Sequence, residues 1–270
     1  AYITWTGSLA RVVVRSMESG DARHFEVAET GSVGTLGWTA DGRAVIVWVS
    51  NPPDEDNPLA LFQIDVQTGR KTAVSDPRQS IPFVYPRLAP ENDLLVYQVS
   101  EENVDGKVAF HILRYDTATR DSTVLFRTPY GGWGQILGAA LSPDGETLAF
   151  GYSPVVGSDP HSLILLPVTG EAARELPIDG ARRFAWMPGG EALLFLRAHP
   201  EEGPSWEVWY LDLSGGEPQP IGLTMQGTVV ALDVHPDGQQ LTYTSTTGGS
   251  ELWVMENFLP GESSSEGGIR

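Results

Sequence analysis

"ALSPDGETLAFGY", Ala140 to Tyr152, is the stretch on which the fold turns. A Pro143-Asp144-Gly145 turn divides an apolar lead-in from a second apolar, β-rich run. Proline presets φ near −65° early in such a turn, aspartate accepts a local backbone hydrogen bond, and glycine supplies positive φ. The phrase returns at "DVHPDGQQLTYTS", Asp233 to Ser245. Worn copies stand at "GWTADGRAVIVWV" (Gly37 to Val49), "RLAPENDLLVYQV" (Arg87 to Val99) and "AWMPGGEALLFLR" (Ala185 to Arg197). The middle residues of the five turns are Asp41, Glu91, Asp144, Gly189 and Asp237, separated by 50, 53, 45 and 48 residues. A near-constant period of this length marks a propeller blade or a solenoid unit.

Each period has the same internal order. After the turn comes a short β-rich segment such as "RAVIVWV" or "TLAFGY". A variable polar loop leads to a second, such as "LALFQIDV", "SLILLPV" or "WEVWYLDL". A glycine- or threonine-marked turn ("QTGR", "TATR", "VTGE", "SGGE") and a weaker strand follow. These are strand lengths with hairpin punctuation, and no amphipathic helical window interrupts them. Each unit is therefore read as four antiparallel strands, A to D, with the Pro-Asp-Gly turn joining A to B. Such units arranged about an axis make a β-propeller. The expectation is an all-β chain, with a β-propeller of four-stranded antiparallel blades over residues 1–259. Residues 260–270, "PGESSSEGGIR", form a Gly/Ser/Glu-rich tail or linker.

The ends are out of phase. The N-terminus reads B, C, D ("YITWTG", "LARVVVRSMESG", "RHFEVAE"), and the C-terminus reads A, B, C. Two closures follow: six blades with incomplete terminal blades, or five with two strands left over. Six is favoured, because a spare strand would expose an unpaired edge. A first blade without its innermost strand suggests a longer natural chain extending upstream.

"ALSPDGETLAFGY", "DVHPDGQQLTYTS" and the closing "SELWVMENFLP" resemble the TolB-like, WD-type propeller repeat of bacteria, over the chain to about residue 259. Similar repeats form the propellers of prolyl-oligopeptidase-like peptidases. The chain departs from the pattern at Gly189, where aspartate is usual, and at Glu91-Asn92, so those turns are expected to be looser. The resemblance implies a protein- or peptide-binding or sensor scaffold, with an extracytoplasmic, periplasmic setting slightly favoured. Two alternatives stand beside it: the gating propeller of a prolyl-oligopeptidase-like peptidase, and a lactonase- or glycosidase-type propeller enzyme with its site at the axis.

Composition narrows the classes. The chain has 270 residues, no cysteine and a net charge of −18. Absent cysteine excludes disulfides and thiolate sites. The charge opposes nucleic-acid binding, which needs cationic surface, and suits cations or basic partners. No apolar run approaches a membrane span. Residues 1–20 place Arg11 and Arg15 inside an apolar stretch, which is not a signal-peptide pattern. The five histidines lack zinc spacing, and no Gly-x-Ser-x-Gly elbow occurs. No catalytic residue and no cofactor are assigned. A divalent cation is the one candidate cofactor, tied to the axial-enzyme alternative.

Polar outliers mark the candidate site. Aligning the turns gives a strand-A column of Trp38, Leu88, Leu141, Trp186 and Val234, read as packing between blades. The column before it, Gly37, Arg87, Ala140, Ala185 and Asp233, is small where inner strands crowd the axis, except at Arg87 and Asp233. Two residues earlier again, Tyr85 and Arg183 stand out. A charge there must be paired or face a wet channel. The D-to-A loops add Tyr130 and Trp133, and the B-to-C loops are acidic, with Asp54, Glu55, Asp56, Glu101 and Glu102 among them. Arg87, Asp233, Arg183, Tyr85, Tyr130 and Trp133 are thus the expected ligand-binding set, on the channel and loop face. The expected partner is a protein or peptide of basic character, with neither nucleic acid nor membrane insertion involved.

Overall fold

The computed structural model describes residues 1–16, 19–28, 32–39, 41–50, 60–73, 87–88, 94–102, 108–116, 121–128, 135–154, 161–199, 205–246 and 250–259. Every regular element among them is a strand. The first sheet holds β1 (Tyr2–Thr6), β2 (Leu9–Arg15) and β3 (Ala22–Ala28). The second holds β4 (Ser32–Trp38), β5 (Ala44–Ser50), β6 (Ala60–Asp65) and β7 (Lys71–Ala73). The third holds β8 (Arg87–Leu88), β9 (Leu94–Glu102), β10 (Val108–Asp116) and β11 (Ser122–Arg127). The fourth holds β12 (Gln135–Leu141), β13 (Thr147–Ser153), β14 (Ser162–Pro167) and β15 (Arg174–Leu176). The fifth holds β16 (Arg182–Trp186), β17 (Ala192–Ala198), β18 (Ser205–Asp212) and β19 (Gln219–Gln226). The last holds β20 (Thr228–Val234), β21 (Gln240–Thr246) and β22 (Ser250–Glu256).

All neighbouring strands pair antiparallel in chain order. The inner strands β4, β8, β12, β16 and β20 lie side by side in sequence, giving a propeller of five blades counted from their inner strands. Among the described residues the sheet β1–β3 has no such strand, so the preference for six blades is not confirmed. Glu101 and Glu102 belong to β9 rather than to a loop, because the β9–β10 ladder runs on to Val108. Residues 260–270 lie outside the described residues.

Burial explains why the strands read as continuous apolar runs. A blade covered on both faces by its neighbours buries both alternating sets, as β17 does. In β17, Leu193 and Phe195 pack with Phe184, Trp186 and Leu163 toward the preceding blade. Leu194 and Leu196 pack with Val208, Leu232 and Leu241 toward the following one. Phe150 of β13 and Val47 of β5 serve two further inter-blade clusters.

A second layer of order is polar and periodic. The N–H groups of Val66, Val168 and Leu213 donate to the carbonyls of Arg43, Glu146 and Glu191, each at 2.9 Å, tying the end of strand C to the turn before strand B. The carbonyls of the same three residues accept from an arginine of the preceding sheet: Arg23 at 3.1 Å, Arg114 at 3.2 Å and Arg174 at 3.3 Å.

The Pro-Asp-Gly turns form as the sequence implies. Gly42, Gly145, Gly190 and Gly238 have φ between 66° and 78°. Each donates its N–H to the residue three before it, at 2.8–2.9 Å. The turn at Gly189 keeps that bond at 2.9 Å and is not looser than the rest, because glycine is retained at Gly190, where positive φ is needed. Glu91 and Asn92 lie outside the described residues.

Candidate functional site

The inner strands converge on an axial cavity of about 480 Å³. Gly37, Ala140, Ala185 and Asp233 line it, one each from β4, β12, β16 and β20. These are members of the small-residue column, so one register brings them to one level. Ser142, Pro143, Pro188 and Pro236 also line it, which places the cavity at the Pro-Asp-Gly end of the blades. The D-to-A and B-to-C connections leave the sheets at the other end.

Among the described lining residues Asp233 is the carboxylate, and it is exposed. Its Oδ1 accepts from the Val234 N–H at 3.2 Å, and the Thr242 hydroxyl donates to its carbonyl at 3.4 Å. Trp186 and Trp38 occupy matching positions with different surroundings. Trp186 is 8% exposed, and its indole N–H donates to the Ala140 carbonyl of the preceding inner strand at 2.9 Å. Trp38, expected in the core, is 41% exposed. Among the described residues, the sheet β1–β3 presents no inner strand beside the ring.

The remaining candidates separate. Arg87 opens β8 opposite Val96; its side chain lies outside the described residues, as do Tyr85, Tyr130 and Trp133. Arg183 is half-buried at a β-bulge, with φ 52°, and its Nε donates to the Val229 carbonyl of β20 at 3.0 Å. Simple alternation along β16 misplaces it, because a bulge inserts one residue and resets the faces. The described inner strands β4, β12, β16 and β20 all carry such a bulge, at Leu36, Gly138, Arg183 and Val230. Those of β12 and β16 meet: a Cβ on Gly138 would lie 3.0 Å from the Arg183 nitrogen.

Turn aspartates surround the cavity end. Asp41 accepts from the Arg43 N–H at 3.0 Å and the Thr39 hydroxyl at 2.7 Å. Asp237 accepts from the Gln239 N–H at 2.8 Å and faces His235 Nδ1 at 2.9 Å. Those backbone donors, then Thr39 and His235, hold the two carboxyls below the usual aspartate range. Asp65 and Asp212 do the same work at the C-to-D turns, accepting from the N–H of Thr68 at 2.7 Å and of Ser214 at 2.8 Å. Sequence reasoning missed this pair. The signal was an aspartate ending strand C, three or four residues before glycine.

A second hollow of about 290 Å³ contains Arg174 and Arg197. Both are engaged in the fold: Arg174 on the Leu213 carbonyl, Arg197 on the Asp179 carbonyl at 2.9 Å and over the Trp209 ring at 4.3 Å. Among the described residues, no group of three or more His, Asp or Glu is placed to hold a metal ion. No helix among them is long and apolar enough to cross a membrane.

No protein-family profile matches the chain, and no curated protein is similar to it at a significant level. Solved structures are similar in fold. TolB from Acinetobacter baumannii superposes with a TM-score of 0.72 at 15% identity, over 96% of this chain and 61% of that one. The chain therefore spans about three fifths of TolB's length. A chain of the nidogen/laminin complex gives 0.63 at 14% identity, over 94% of this chain and 88% of that one. The β-propeller domain of the Trilobed protease from Pyrococcus furiosus gives 0.58 at 11%, over 94% and 82%. At these identities the likeness shows a β-propeller of TolB-like and peptidase-propeller kind.

Proposed function

We propose that this chain is a non-catalytic binding propeller that seats a cationic group of a protein or peptide partner in its axial cavity. The observation that carries the reading is Asp233, an exposed carboxylate in a cavity of about 480 Å³, beside which the described residues of the same level are the small Gly37, Ala140 and Ala185. Sites of this kind are mostly apolar with a few placed polar groups, on a scale of roughly 300–1,000 Å³. Gly37, Ala140 and Ala185 leave room for a side chain to enter, and Trp38 offers an open indole face beside it. The net charge of −18 favours approach of a basic partner. The fold likeness to a chain of the nidogen/laminin complex, a protein–protein assembly, supports the same direction.

The test uses a short apolar peptide with one lysine, titrated while tryptophan emission is followed. Saturable binding is expected, weakened about tenfold by norleucine in place of lysine, the effect of one charge-assisted contact. In Asp233→Asn the two peptides should bind alike. Equal binding of the lysine peptide to wild type and Asp233→Asn would remove the basis for the assignment.

A second reading, a gating propeller of a peptidase, is supported by the likeness to the Trilobed protease propeller. There the cavity is a passage rather than a seat, and the lysine peptide would show no saturable binding.

A further inference from the structure

A further hollow, of about 250 Å³, lies between the fourth and fifth sheets. On the side of the fourth sheet its wall takes residues from each strand in turn. Ser142 follows β12, Thr147 opens β13, Leu165 and Pro167 end β14, and Arg174 opens β15. Trp186, Gly190 and Leu213 stand opposite, beside the fifth sheet. The strands β12 to β15 are ordered outward from the axis, so the hollow is a crevice that crosses the blade radially at its Pro-Asp-Gly end.

This crevice adjoins both cavities already described. Ser142 and Trp186 also line the axial cavity. Arg174 and Leu213 also line the hollow of about 290 Å³ farther out. Four strands about 4.8 Å apart span roughly 14 Å, which an extended chain rising about 3.3 Å per residue crosses in about four residues.

Charge changes sign along the path. Asp233 stands at its axial end, and Asp144 lines the inner part of the crevice. Asp144 is committed to its own turn, where its Oδ1 accepts from the Glu146 N–H at 2.9 Å and from the Ser142 hydroxyl. Arg174 lies at the outer part and is exposed. It donates one amino group to the Leu213 carbonyl at 3.3 Å. A guanidinium carries five N–H donors, so this bond holds the group at the blade boundary and leaves donors for a carboxylate. Between the charges the wall is apolar, at Leu165, Pro167 and Leu213.

We propose that the partner segment whose cation sits at Asp233 runs outward through this crevice in extended form and sets a carboxylate, about five residues from the cation, on Arg174. The inference rests on the cationic seat and adds the path of the segment, its second charge and the spacing of the two.

The experiment compares three apolar peptides on the intact protein by tryptophan emission. One carries lysine alone, one carries glutamate beside the lysine, and one carries glutamate about five positions away. On a chain of net charge −18, an added glutamate should weaken binding wherever it meets no cation. The peptide with the distant glutamate should instead bind about two- to fivefold more tightly than the lysine peptide, as for an exposed ion pair. That ratio should fall below one in Arg174→Gln and be partly kept in Arg174→Lys. Comparing peptides within each variant cancels any loss of stability from the Leu213 bond. If the lysine peptide binds and the distant glutamate gives no gain, the proposal is overturned while the seat at Asp233 stands. A gain that persists in Arg174→Gln also overturns it. If the lysine peptide does not bind at all, the seat falls and the path falls with it.

Discussion

The paired fates of Trp186 and Trp38 show how much a residue's role depends on its neighbour. Both close an inner strand before a turn, yet one indole is bonded to Ala140 and the other is 41% exposed. Trp186→Phe orphans a carbonyl and should cost about 1–3 kcal/mol. Trp38→Phe should stay within about 0.5 kcal/mol, as for surface changes generally. Urea unfolding of the two variants checks the contrast, and equal losses would contradict it. The turn aspartates make an acid prediction. Asp41 and Asp237 have carboxyl pKa values lowered from 3.8, through the N–H groups of Arg43 and Gln239 first. A depressed folded pKa means stability that is present above the unfolded value and lost as pH falls through the folded one. Melting temperature should therefore drop as pH is lowered from about 4 toward about 2, and Asp237→Asn should flatten part of that drop. A variant with an unaltered pH profile would show that the turn carboxylate contributes nothing.

Strands and turns were legible because their signals are local. Period-2 apolar patterning and proline, aspartate and glycine at fixed offsets need no distant partner to be read. The bulges were not legible, since a bulge is a relation between two strands. Gly138 illustrates the consequence: its φ is 57°, and its Cα faces the backbone of Arg183 on the next blade. Gly138→Ala should destabilise by about 1–2 kcal/mol through the left-handed backbone alone. The 3.0 Å approach to the Arg183 nitrogen adds to that. Ala140→Gly, on the same strand without positive φ, should cost about 0.5–1 kcal/mol instead. Denaturant midpoints of the two variants rank them, and a milder effect at Gly138 would show that the bulges can shift.

Across the whole molecule, blades bury both faces against each other, and adjacent sheets are laced by Arg23, Arg114 and Arg174. Against this stands a net charge of −18, whose self-repulsion weakens the compact state. Screening reaches about 10 Å at 0.1 M salt. Melting temperature should accordingly rise between about 10 mM and about 200 mM sodium chloride. A flat or falling trend would mean that local ion contacts, which salt also screens, outweigh the global repulsion. The scale of the ring also explains the uneven reading of the site. Gly37, Ala140, Ala185 and Asp233 were recognised as one column because equivalent turns set a common register. Arg183 left that logic because its bulge and its bond to Val229 arise between blades.

The amino-acid sequence alone determined the repeat, the four-strand order, the turn chemistry and the small axial column. Each of these is encoded within about fifty residues and recurs. Only the tertiary structure decided that Asp233 opens onto the turn end of the axis and that Trp186 is covered while Trp38 is not. Those properties depend on which strand lies beside which across a blade boundary, and no local pattern records that neighbour.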